Sequence, residues 1–262
     1  MYTTLTRNLA VLAIGGTLIL SGCKNTLDDG TGTGTNTAAS ATGVWTGTDS
    51  VTSKTVIALI NAAGQATFIR GDGVQFTGAV QVSAGNLVAA VAGYTDFSST
   101  FSDGSTYGIG TLNGTVTTGD SLNATLTFNS NGGTAETGTW SLNFQSLSNN
   151  ASSRSTISGN YTDVVTGAVL SITSAGAMTS QNAQNNCVLN GSVTTNDTSH
   201  DLYEVSYSFA SCTGTSTALN GVQFTGLATR NTNSAPAQLT MAVIGISSTG
   251  NHYGIVSTLN AS

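Results

Sequence analysis

Leu122-Asn123-Ala124-Thr125-Leu126-Thr127-Phe128-Asn129 sets an apolar residue against a polar one at every step. Successive side chains of an extended chain point to opposite faces, so this pattern describes a strand with one face buried and one in water. The same period returns at Trp140, Leu142 and Phe144 against Ser141 and Asn143. It returns again at Tyr203, Val205, Tyr207 and Phe209 against Glu204, Ser206 and Ser208. Turn-forming residues punctuate the chain at Ala63-Gly64, Gly85-Asn86, Gly119-Asp120, Asn131-Gly132-Gly133, Ala175-Gly176 and Gly250-Asn251. Spacings of about 8–12 residues suit antiparallel hairpins and leave no room for crossover helices. No window past residue 40 carries an amphipathic helical period.

The chain reads as doubled. One half opens on Gly43-Val44-Trp45-Thr46-Gly47 and the other on Ile157-Ser158-Gly159-Asn160-Tyr161. A tight hairpin follows each, Val56–Asn61 with Gln65–Arg70 and Ala168–Thr173 with Ala177–Gln181. The expectation is an all-β chain of two tandem antiparallel meander domains, each of about eight strands. Closure into lipocalin-like barrels removes exposed edges; a β-sandwich is the alternative. The expected domains are 43–146 and 157–262, joined by a polar linker over 147–156. One string disputes the register: Gly73-Val74-Gln75-Phe76-Thr77-Gly78 recurs as Gly221–Gly226, an offset of 148 where the hairpins need about 114. Either the repeat register is wrong or the string serves two non-equivalent strands, and the second reading is adopted because the first truncates the second copy.

Only 7% of the residues are charged, against roughly 25% in ordinary domains. The polar surface is therefore built from Thr, Ser, Asn and Gln. A formal net charge of −6 and the lack of any basic patch argue against nucleic acid as a partner.

Ahead of this β region, Arg7 precedes an apolar run from Leu9 to Leu20 that ends in Leu20-Ser21-Gly22-Cys23. The run is shorter than the roughly 20 residues a spanning helix requires, and the layout is that of a secretory signal. The four residues resemble the lipobox of bacterial lipoproteins. That resemblance implies a signal peptide over 1–22, cleavage before Cys23, and acylation of its thiol and new amino group. The covalent lipid is then the only cofactor expected, and the membrane a partner through that anchor. Lys24, where enterobacterial lipoproteins retained in the inner membrane carry Asp, implies the outer membrane. Residues 23–42, rich in Gly and Thr, read as a flexible tether with a reach near 25 Å. The strand texture is also similar to that of barrel-bearing surface lipoproteins of the transferrin-binding protein B type, a likeness that carries no functional residue across.

With Cys23 acylated, Cys187 and Cys212 remain, and a pair in an exported chain is read as a disulfide. A hairpin turn near residues 197–200 would place them side by side. The parity disagrees by one residue, since Tyr203, Val205, Tyr207 and Phe209 put Ser211 and not Cys212 on the inward face. A bulge between Phe209 and Cys212 would correct it.

No catalytic cluster or metal-ligand spacing is visible. Ser199-His200-Asp201 has the residue types of a triad, but neighbouring side chains in an extended chain point apart, so a solvated turn is expected. His252, beside Gly250-Asn251, is read the same way, and Arg70, Arg154 and Arg230 look isolated. The row Tyr203, Tyr207 and Phe209 either fills a barrel or lines a cavity for a small apolar ligand. The composition thus points to a non-catalytic interaction or structural module of the cell envelope, its partner a protein or a small apolar ligand. A hydrolase is the remaining possibility.

Overall fold

The computed structural model describes residues 38–97 and 99–262; Cys23 and most of the expected tether lie outside them. The first barrel runs β1 (Gly43–Asp49), β2 (Thr55–Ile60), β3 (Gln65–Arg70), β4 (Gln75–Ser83), β5 (Asn86–Tyr94), β6 (Tyr107–Thr117), β7 (Ser121–Ser130) and β8 (Ala135–Phe144). The second runs β9 (Gly159–Asp163), β10 (Val169–Ile172), β11 (Ala177–Gln181), β12 (Val188–Thr194), β13 (Leu202–Ala210), β14 (Gln223–Asn231), β15 (Gln238–Ile246) and β16 (His252–Ala261). All neighbours are antiparallel, and β1 pairs with β8 and β16 with β9, so each meander closes on itself. Closure settles the choice between barrel and sandwich.

Alternation along the strands fills each barrel with side chains. In the first, Trp45, Phe68, Phe76, Phe128 and Trp140 are all at most 1% exposed. Phe76 packs edge-on against Phe128 at 5.3 Å, and Trp140 leans on Phe68 at 5.1 Å. Burying one such ring stabilises the fold by roughly 1.5–3 kcal/mol. Tyr161, Tyr203, Tyr207 and Phe224 do the same in the second barrel.

The doubling expected from the sequence has a structural counterpart in the opening strands. Trp45 Nε1 donates to Ala41 O at 2.8 Å, and Tyr161 OH donates to Ile157 O, also at 2.8 Å. In each barrel the first inward aromatic thus secures the segment four residues before it, which plugs one end of the core. Gly64 and Gly176 turn the matching hairpins at φ +80° and +88°, the left-handed region that glycine enters without strain. The shared string, by contrast, opens β4, the fourth strand of one barrel, and β14, the sixth of the other. It does serve two non-equivalent places.

The linker holds a 3-10 turn (Ser146–Asn149) and one helical turn, α1 (Arg154–Ile157). Ile157 is fully buried in the second core. A backbone bond from Gln145 N to Val44 O holds the chain just ahead of the linker to the first barrel, and one from Asp201 N to Ser148 O ties the linker to the second.

The barrels belong to one compact unit and meet through their outer walls. Val44, Leu59 and Ile69 of the first pack against Leu202, Leu227 and Ala242 of the second. Gln75, fully buried, sends Nε2 toward Val243 O at 3.4 Å. His252 is not the turn residue expected; it starts β16 and stacks on Tyr107 of the first barrel at 3.9 Å.

Candidate functional site

Below this apolar seam the two walls diverge into a cleft of about 470 Å³. Its lining comes from β3, β4 and β12–β15, where polar side chains at water-facing positions are interspersed with the apolar Ala66, Val205, Leu227 and Ile244. Thr67 and Thr77 face it from one barrel; Ser192, Thr194, Ser206 and Thr225 face it from the other. The repeated string therefore contributes equivalently to both walls: Phe76 and Phe224 enter the cores, while the next residues, Thr77 and Thr225, line the cleft.

One buried amide organises this cleft. Asn61, 4% exposed, ends the β2 hairpin arm, and its Oδ1 accepts from Ala63 N at 3.1 Å and Gln65 N at 2.9 Å. Its Nδ2 donates to Gln65 Oε1 at 2.8 Å and, across the barrel boundary, to Glu204 Oε1 at 3.0 Å. The turn thus fixes one side chain from each barrel. Gln65 keeps its amide NH2, and Glu204 keeps its second carboxylate oxygen, for whatever enters. Glu204 carries the only charge among the described residues that line the cleft.

The mouth of the first barrel corrects the isolation expected of Arg70. Its Nε binds both oxygens of Asp72, at 2.9 and 3.1 Å, and its Nη1 bonds Glu136 Oε1. Burial opposes the charge, but the hydrogen bonds to Asp72 and Glu136 outweigh it and raise the pKa further. Both carboxylates are spent on the guanidinium, so the group closes the mouth and leaves no free acid–base pair of its own. Sequence reasoning missed it because residues 70 and 136 meet only through barrel closure.

Tyr203, Tyr207 and Phe209 do not converge. Tyr207 and Phe209 line a cavity of about 150 Å³ at one end of the second barrel, with Leu170, Met241 and Leu259. Tyr203 lies six residues from Phe209, about 20 Å along the strand, at the end plugged by the linker. Cys187 stands at the cavity's rim, joined to Cys212 by a disulfide. Val188 pairs with Ala210, so Cys187 would face Ser211 by register. Ser211 instead turns outward with φ +60°, and Cys212 takes the inward place, 5% exposed. The left-handed backbone at Ser211, just past the end of β13, supplies the one-residue shift that the parity requires.

At the plugged end Asp201, 2% exposed, faces the Tyr203 hydroxyl near Arg230. Asp201 Oδ1, Tyr203 OH and Arg230 Nε all lack a partner of hydrogen-bonding geometry. Burial pushes the Asp201 carboxyl up to about 6, with Tyr203 and Arg230 opposing only in part. Burial and the nearby Asp201 also push the Tyr203 hydroxyl upward. His200 Nδ1 pairs with Asp197 at 2.5 Å, and Ser199 N with the same carboxylate at 2.8 Å. No triad forms, because His200 turns to Asp197 in place of Asp201. Among the described residues no group of three His, Cys, Asp or Glu side chains is placed to hold a metal ion.

No protein-family model and no curated protein matches the chain.

Proposed function

We propose that this chain is a lipid-anchored lipoprotein of the outer membrane whose fused barrel pair is a non-catalytic binding module of the cell envelope. The observation that carries the reading is the division of labour between inside and outside. Both barrel interiors are filled by aromatic and aliphatic side chains, which leaves outer walls and mouths to meet a partner. The inter-barrel cleft is one of the surfaces to which both domains contribute. Leu20-Ser21-Gly22-Cys23 supports the anchor. Two measurements test it. Labelled palmitate is expected in the wild-type chain and not in Cys23→Ala; an unlabelled wild type refutes the anchor. Turnover in a panel of ester, glycoside and peptide substrates refutes the non-catalytic part.

A second reading, carriage of a small apolar ligand, is favoured by the cavity beside Tyr207 and Phe209. At about 150 Å³ it suits a molecule no larger than a benzene derivative. Native mass spectrometry of the purified chain tests it, by a retained mass that Phe209→Trp expels.

A further inference from the structure

We infer that the inter-barrel cleft is a binding site for a neutral, hydroxyl-rich sugar, a short stretch of oligosaccharide recognised by the Gln65–Asn61–Glu204 array. This deepens the binding-module reading and rests on it. Three observations converge. The cleft, at about 470 Å³, falls within the roughly 300–1,000 Å³ of small-molecule sites. Its walls present hydroxyls from both barrels, Thr67, Thr77, Thr194, Ser206 and Thr225 among them, and each hydroxyl both donates and accepts. Asn61 locks an amide donor, Gln65, beside a carboxylate acceptor, Glu204. A donor and an acceptor held together match the adjacent hydroxyls of a sugar ring, which offer both functions at neighbouring carbons. Fixing them through a buried third residue removes the ordering cost that flexible side chains would otherwise carry into binding.

Other occupants fit less well. No lysine or arginine lines the cleft among the described residues, and Glu204 repels anions, so phosphate, nucleic acid and acidic sugars are disfavoured. A peptide strand has no edge to extend, because both sheets are closed. An apolar ligand would strand hydroxyls such as those of Thr77 and Thr225 and the second oxygen of Glu204, which costs about 1–3 kcal/mol for each group so stranded. The lining also holds no aromatic ring to stack on a sugar face, so hydrogen bonds carry the affinity. A Kd near 1 mM is expected for a trisaccharide, about −4 kcal/mol, with avidity on a repeating polymer raising the effective strength.

The experiment is titration calorimetry of the full chain in detergent with maltotriose, cellotriose and chitotriose, plus a glucuronate-bearing trisaccharide as acidic control. Hydrogen-exchange mass spectrometry locates any binding. The expected result is binding of at least one neutral trisaccharide, rejection of the acidic one, and new protection confined to peptides covering residues 61–78, 192–206 and 225–227. Glucose oligomers and chitotriose form separate arms, because the same hydroxyl chemistry reaches the cleft from free glycans or from the N-acetylglucosamine of cell walls. Glu204→Gln keeps an acceptor for Asn61 and is expected to weaken neutral binding about tenfold while admitting the acidic control; Thr225→Val removes one hydroxyl at nearly constant shape and is expected to weaken it several-fold. Melting curves superimposable on wild type establish that both variants fold. No binding up to roughly 10 mM sugar, or binding that both folded variants retain in full, overturns the inference. Crosslinking of an envelope protein through the cleft without sugar binding also overturns it and leaves the module reading standing. Loss of the palmitate signal with sugar binding intact does the reverse.

Discussion

Gly254 of the second barrel donates its amide to Thr95 O of the first at 3.2 Å, which joins the two walls backbone to backbone. A Cβ at this position would stand 2.8 Å from that oxygen and 2.9 Å from Gln75 Nε2. Such distances are below van der Waals contact, and the backbone oxygen cannot swing aside. Gly254→Val is therefore expected to force the walls apart at a cost of about 1–3 kcal/mol. Scanning calorimetry reads the result: one endotherm for the wild-type pair, two for the variant as the barrels unfold separately. A single unshifted endotherm in Gly254→Val would show that the seam does not couple the domains.

That seam also marks where legibility in the sequence ended. Leu122 to Phe128 alternates cleanly because β7 faces water on one side, and its role followed from period two alone. Val56-Ile57-Ala58-Leu59-Ile60 does not alternate, and neither does Leu239-Thr240-Met241-Ala242-Val243-Ile244. Both runs are apolar on two faces, the signature of strands covered on both sides. Leu59 and Ala242 fill those second faces in the interface. Reading the runs as doubly buried would have located the barrel contact; which strands oppose which could not follow, since that depends on the path of the linker between the barrels. Asn61 was illegible for the same reason. Its partner Glu204 is 143 residues away, and no local spacing relates them.

The second barrel carries a crosslink that the first lacks. Closing 25 residues of chain stabilises by about 3 kcal/mol through loop-closure entropy. Cys187→Ala with Cys212→Ala is expected to lower the unfolding free energy extrapolated from the urea transition by about that amount. Ser211 tunes the same corner. With φ at +60°, Ser211→Gly is expected to be neutral or slightly stabilising and Ser211→Val to cost about 1–2 kcal/mol. Peptide mapping without reductant supplies the direct check, and two free thiols in exported protein would refute the bridge.

The plug of the second barrel makes a prediction of its own. Tyr161→Phe deletes the donor to Ile157 O and leaves that carbonyl buried beside a fully covered side chain. Stranding a buried acceptor costs about 1–3 kcal/mol. Equilibrium urea unfolding is expected to show the loss with no change in slope. If Tyr161→Phe unfolds at the wild-type midpoint, the hydroxyl is not what seats α1 in the barrel.

Asp201 makes the fold sensitive to pH in a defined direction. Its ordinary value of 3.8 is raised to about 6 by burial at the plugged end. The folded chain therefore holds a proton that the unfolded chain releases, and stability falls as pH rises through this window. The contribution is fully present below about 4 and gone above about 6. Two pKa units correspond to nearly 3 kcal/mol, and residual screening by water brings the expected loss to roughly 2 kcal/mol. Asp201→Asn preserves the shape and cannot ionise, so it is expected to match the wild type near pH 4 and exceed it at pH 7–8. Urea midpoints for both chains between pH 4 and 8 decide the matter, because all other titrations are shared and cancel in the difference. Parallel curves across that range would mean that Asp201 enters the folded state without the proton that its burial demands.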